Sequence, residues 1–133
     1  MIRSTLLLCA EKAMRDADND NLSVFNILDD VIAAGFPITL NRLSIVNFFS
    51  REDGDPEKVA VELNIFNNDQ LIGEYQVKID FRGRLKTRAI IQFGSFELAG
   101  PGITRFVIMD NERKQLSDYS ICLIERTQNT YIA

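Results

Sequence analysis

The chain has 133 residues, 46% of them hydrophobic and 26% charged, with a formal net charge of -4. That is about one domain's worth, enough for one core, and no stretch approaches the ~18 consecutive apolar residues of a membrane helix. Histidine is absent, which removes Ser-His-Asp and Cys-His catalysis and histidine-bound metal centres and leaves Asp, Glu, Lys, Tyr and Cys as acid and base groups.

The opening MIRSTLLLCA mimics an export signal, with an early Arg, a short apolar run and Cys9. The run from Leu6 is shorter than the ~7 to 15 residues of a signal core, and bulky Leu8 precedes Cys9 where a small residue is wanted, so the reading is an intact cytoplasmic N-terminus. Cys9 and Cys122 sit in apolar segments far apart in the chain, as reduced thiols would in a reducing compartment. They become neighbours if the first and last strands pair. No Cys-x-x-Cys spacing marks a zinc site.

Two readings compete for the N-terminal third. Val24, Ile27, Leu28, Val31 and Ile32 recur at helical spacing, with Gly35 and Pro37 as stop signals, which predicts a helix over Ser23 to Ala34. Alternatively, Thr5 to Met14 and Leu22 to Val31 are strands of a hairpin joined across Asp16-Ala17-Asp18-Asn19-Asp20-Asn21; the strand-rich remainder of the chain favours this.

Leu43 to Arg51, rich in β-branched and aromatic residues and closed by the acidic loop Glu52 to Pro56, is the next predicted strand. From Lys58 to Phe66 the sequence alternates, with Val59, Val61, Leu63 and Ile65 on one face. Asn67-Asn68-Asp69 supplies a tight turn. Residues 71 to 81 then repeat the alternation, with Leu71, Tyr75, Val77, Ile79 and Phe81 against Glu74, Gln76, Lys78 and Asp80, so the two runs predict a hairpin. Beyond Arg82-Gly83-Arg84 come strands at Thr87 to Phe93, Ile103 to Met109 and Tyr119 to Ile124. The last two form a late hairpin whose entrance, Gly100-Pro101-Gly102, reads as architecture.

This order of elements resembles a bacterial family of short β-sandwich proteins classed as a domain of unknown function. The resemblance runs from about Leu6 to Arg126. It is carried by LLLCAEKAM, NLSVFNILDDVIAAGFP, LSIVNFF, VAVELNIFNNDQLIGEYQV and AGPGITRFVIMDNERKQLSDYSICL, with Phe36-Pro37 and Gly100-Pro101-Gly102 as landmarks. It implies a single all-β domain over residues 1 to 133, an immunoglobulin-like antiparallel β-sandwich of about seven to nine strands with Leu22 to Val31 extended, and no catalytic role. Family members often carry a histidine and a second proline after the Phe-Pro pair; here Ile38-Thr39-Leu40-Asn41-Arg42 follows, so no histidine-dependent role for that loop carries over.

Asp16, Asp18 and Asp20 have the spacing with which a calcium loop begins. Asn21 and Ile27 stand where Gly and a bidentate Glu are required, so these carboxylates read as a solvated hairpin tip, and no metal or other cofactor is expected. FRGRLKTR places Arg82, Arg84, Lys86 and Arg88 at every second residue. On an extended backbone all four project to one side, a candidate face for phosphate or carboxylate or for the acidic loops of a second copy. The plainer reading is that cations guard an exposed strand edge against aggregation. Four cations without interleaved aromatics make no nucleic-acid groove, and no membrane partner is expected. Charge is uneven along the chain, net -7 over residues 1–80 and +3 over residues 81–133. The expected function is therefore non-enzymatic, a cytoplasmic β-sandwich working through a protein partner or as a homo-oligomer, with anion or small-ligand binding at the Arg82/Arg84/Lys86/Arg88 face as the alternative.

Overall fold

The computed structural model describes residues 1–126; residues 127–133, which the single-domain expectation includes, lie outside the described residues. The described residues form eleven strands and no helix. In chain order they are β1 (Arg3–Arg15), β2 (Leu22–Ile27), β3 (Asp30–Ala33), β4 (Ile38–Leu40), β5 (Leu43–Ser50), β6 (Lys58–Asn67), β7 (Gln70–Asp80), β8 (Lys86–Phe93), β9 (Phe96–Leu98), β10 (Gly102–Met109) and β11 (Gln115–Glu125). The count exceeds the expected seven to nine because three short pieces, β3, β4 and β9, have too few alternating residues to stand out by pattern.

A four-stranded sheet runs β2-β1-β5-β8 and a five-stranded sheet β3-β11-β10-β6-β7. Each turns an apolar face inward: Leu7, Cys9, Leu43, Ile45 and Phe49 from the first meet Val61, Leu63, Ile65, Phe106, Ile108, Ile121 and Leu123 from the second in one buried cluster. Burial of such side chains stabilises a fold by about 1.5–3 kcal/mol each against the unfolded chain. A two-stranded piece, β4 with β9, adds Ile38, Leu40, Phe96 and Leu98 to the same core. Phe36-Pro37 is a cis peptide just before β4.

The N-terminal third is extended, and the helical reading of Ser23 to Ala34 is corrected. Its apolar spacing arises because the segment changes sheets midway. β2 pairs antiparallel with β1 in the first sheet, whereas β3 pairs parallel with β11 in the second. Leu28 and Asp29 make the crossing: the Leu28 amide donates to the Cys9 carbonyl at 2.8 Å and the Cys122 amide to the Asp29 carbonyl at 2.8 Å. A residue set that serves two faces in turn has no single strand period.

The tip of the β1–β2 hairpin lies over the outward face of the first sheet. Asp20, in the turn, meets the Arg88 guanidinium on β8, which donates to its backbone carbonyl and stands 3.4 Å from its carboxylate, although β5 separates β1 from β8. Ala10, Ser44 and Val46, on the outward face of the same sheet, are fully buried.

Candidate functional site

The four cations singled out in the sequence do not form one row. Arg82 and Arg84 fall in the turn between β7 and β8, where Arg82 has φ 52 and Gly83 φ 75. A left-handed pair reverses the chain and breaks the alternation that a strand needs. Lys86 and Arg88 are two apart on β8 and share its outward face, and Arg88 is engaged by Asp20. The alignment of four on one side is therefore corrected to a pair on a strand and a pair in a turn.

That turn is held by a residue the sequence reading passed over as a strand end. The side chain of Arg51 is 7% exposed. Its Nε donates to the Arg84 carbonyl at 2.8 Å and its Nη1 to the Asp55 carbonyl at 2.9 Å, while the guanidinium lies 5.5 Å from the centre of the Phe81 ring. One buried cation thereby ties the acidic loop after β5 to the basic turn after β7. Arginine ending an apolar strand beside a carboxylate-rich loop was the available signal, but of its two carbonyl partners only Asp55 is near in sequence, and Arg84 lies 33 residues away.

The carboxylates have local partners. Asp16 Oδ1 accepts the Asp18 amide at 2.8 Å, and Asp110 Oδ1 accepts the Glu112 and Lys114 amides at 2.9 and 2.8 Å, so both organise turns. Glu62 faces Arg113 at 3.9 Å. Tyr119 Oη reaches the Leu28 carbonyl and Asp29 Oδ1, both at 2.8 Å. Burial, then the Asp29 carboxylate, holds this phenol above its ordinary range. Both cysteines are free, and burial pushes the Cys9 thiol up.

Among the described residues β2 and β8 end the first sheet and β3 and β7 the second, and the longer open edges are those of β7, with eleven residues, and β8, with eight. Their free hydrogen-bonding positions follow from the register. The Phe81 amide donates to the Glu57 carbonyl at 2.8 Å, in line with the β6–β7 register in which Lys58 opposes Asp80 and Val61 opposes Val77. Odd-numbered residues of β7 from Gly73 to Ile79 therefore spend their backbone groups on β6, and Glu74, Gln76, Lys78 and Asp80 aim theirs outward. On β8 the Arg51 amide bonded to the Leu85 carbonyl at 2.9 Å fixes the same parity, so Lys86, Arg88, Ile90 and Gln92 face the open edge. β7 also leaves Leu71, Ile72 and Tyr75 exposed at 43%, 49% and 44%. Tyr75 stands at the lip between the sheets, its ring edge-on to Phe93 at 5.2 Å.

No helix among the described residues is long and apolar enough to cross a membrane. No family model matches the chain, and no curated protein matches it. Solved structures similar in shape include a β-glucosidase from Listeria innocua in complex with glucose, at a TM-score of 0.48 and 6% identity, covering 96% of this chain and 16% of that one. The same enzyme in complex with isofagomine gives 0.47 and 6%, over 93% and 17%. A further structure of it gives 0.45 and 6%, over 96% and 16%. The chain thus spans a small part of the length of each.

Proposed function

We propose that the chain is an immunoglobulin-like β-sandwich, akin to the bacterial family it resembles, that performs no catalysis and works in the cytoplasm through protein–protein contact, associating with copies of itself. The observation that carries this reading is β7. It is an eleven-residue strand with an open backbone edge and exposed Leu71, Ile72 and Tyr75. Unpaired N–H and C=O groups in a row are a template for another strand, and exposed aliphatic and aromatic side chains beside them add apolar area to any such contact. The absence of histidine and the local pairing of Asp16, Asp110 and Glu62 support a binding rather than a catalytic role. The free thiols Cys9 and Cys122 suit a reducing compartment. Sedimentation across a concentration series tests the reading: the expected result is reversible association in the micromolar range, and a monomer at high micromolar concentration, unaffected by salt, overturns it.

A further inference from the structure

Resting on that reading of self-association, we propose that β7 pairs antiparallel with β7 of a second copy, across a two-fold axis at Gln76. The outward-aiming backbone groups belong to Glu74, Gln76, Lys78 and Asp80, and their side chains all lie on the solvent face of the sheet, opposite Asn64, Glu62, Ala60 and Lys58 of β6. A two-fold at Gln76 sets Gln76 against itself and Glu74 against Lys78 of the second copy, twice. Each of these three is a hydrogen-bonded pair, giving roughly six ladder bonds, and each Glu74–Lys78 match puts opposite charges in the directly facing positions where they attract. On the other face the same register lays exposed Tyr75 against half-buried Val77 of the second copy. The bulge that leaves Ile72 without an opposite residue on β6 ends the ladder at one end, and the turn at Arg82 ends it at the other.

Charge and ladder length together select this register: centring on Ile79 also sets Lys78 against Asp80, but leaves only two hydrogen-bonded pairs before the turn at Arg82. Centring on Glu74 opposes like carboxylates, centring on Lys78 opposes like ammonium groups, and centring on Val77 puts Glu74 against Asp80. Centring on Tyr75 leaves Lys78 facing Ile72. The edge of β8 contrasts with this one, because its outward groups include Lys86 and Arg88 and no acid, so a second β8 gains no charge match in any register. An isologous contact of this kind closes on itself and stops at a dimer.

The test is sedimentation velocity of the wild type, Glu74→Lys, Lys78→Glu and the double swap, with thermal melts confirming that each folds. Wild type is expected to form a dimer and nothing larger. Each single swap puts like charges at two symmetric sites and raises the dimer dissociation constant about tenfold; the double swap returns it to within about twofold of wild type. Amide exchange supplies an independent reading that needs no substitution. The Gln76 and Lys78 amides exchange fast at low protein concentration and become protected as the dimer forms. If wild type dimerises while both single swaps keep its dissociation constant and the Gln76 amide stays fast, the register is overturned and self-association stands. Assemblies that grow past a dimer also overturn it. A wild type that stays monomeric removes both proposals.

Discussion

The side chain of Asn68 fills the space where a Cβ on Gly102 would be. A methyl there overlaps Asn68 Oδ1 and lies 2.7 Å from its Cγ and Nδ2, and Gly102 has φ 129, where side chains are strained. Asn68 is fixed in place: its Oδ1 accepts the Ile103 amide at 2.9 Å and its Nδ2 donates to the Pro101 carbonyl at 3.1 Å. The β6–β7 turn is thereby bolted to the start of β10. Gly102→Ala is expected to cost about 3 kcal/mol, from backbone strain plus displacement of those two bonds. Asn68→Ala costs about 1–2 kcal/mol by the bonds alone. The double variant is less destabilised than the sum, because removing the amide opens the space. Thermal unfolding of the four proteins measures the coupling, and strict additivity refutes it.

Arg51 is the second fastening. Arg51→Met leaves the Arg84 and Asp55 carbonyls without their donor and is expected to lower stability by about 2–4 kcal/mol. Arg51→Lys recovers a part, since one ammonium does not span both carbonyls in the fork geometry of a guanidinium. Urea titration reads this as a lower midpoint at unchanged slope. A midpoint within error of wild type for Arg51→Met contradicts it.

Cys9 gives a pH dependence of definite sign. Its folded-state pKa is raised by burial above the ordinary value of 9.0, so above about pH 9 the unfolded chain releases a proton that the folded chain keeps. The contribution to stability is complete below that pH and declines as pH rises, by about 1.4 kcal/mol per unit. Tyr119, also raised above its ordinary 10.0, adds its own decline above pH 10. Between pH 9 and 10 the slope is expected to flatten in Cys9→Ala, measured by chemical denaturation at each pH. An unchanged slope in that variant excludes Cys9 as its source.

The Arg88–Asp20 contact anchors the hairpin tip more than it stabilises the fold. Asp20 is well exposed, and an ion pair of this type contributes no more than about 1 kcal/mol. Arg88→Ala is therefore expected to shift the melting temperature little and to speed limited proteolysis between Asp16 and Asn21 severalfold. Equal cleavage rates in the two proteins would refute an anchoring role.

Much of this fold was legible in the sequence. Val59 to Ile65 and Tyr75 to Ile79 alternate on a sheet with one wet face, and Asn68-Asp69, with φ of 47 and 67, is the two-residue turn such a pair requires. The N-terminal third was ambiguous for a physical reason: Leu22 to Ala33 serves two sheets, and the partners that extend it, Cys9 and Cys122, lie far off in the chain. The cation row misled because alternation was carried through Arg82 and Gly83, whose positive φ a regular strand does not contain. The open edge of β7 was legible as a strand but not as an edge, because edge position is a property of strand order.

The crossing at Leu28 and Asp29 places a constraint on how the chain comes together. Tyr119 Oη reaches the Leu28 carbonyl across 91 residues of sequence, and β3 has no sheet to join until β11 is laid beside it. The first third of the chain is thus fully docked only once β11, the last of the described strands in chain order, lies beside β3. Such distant closure predicts slow folding, with β3 amides gaining protection together with those of β11 in pulse-labelled exchange.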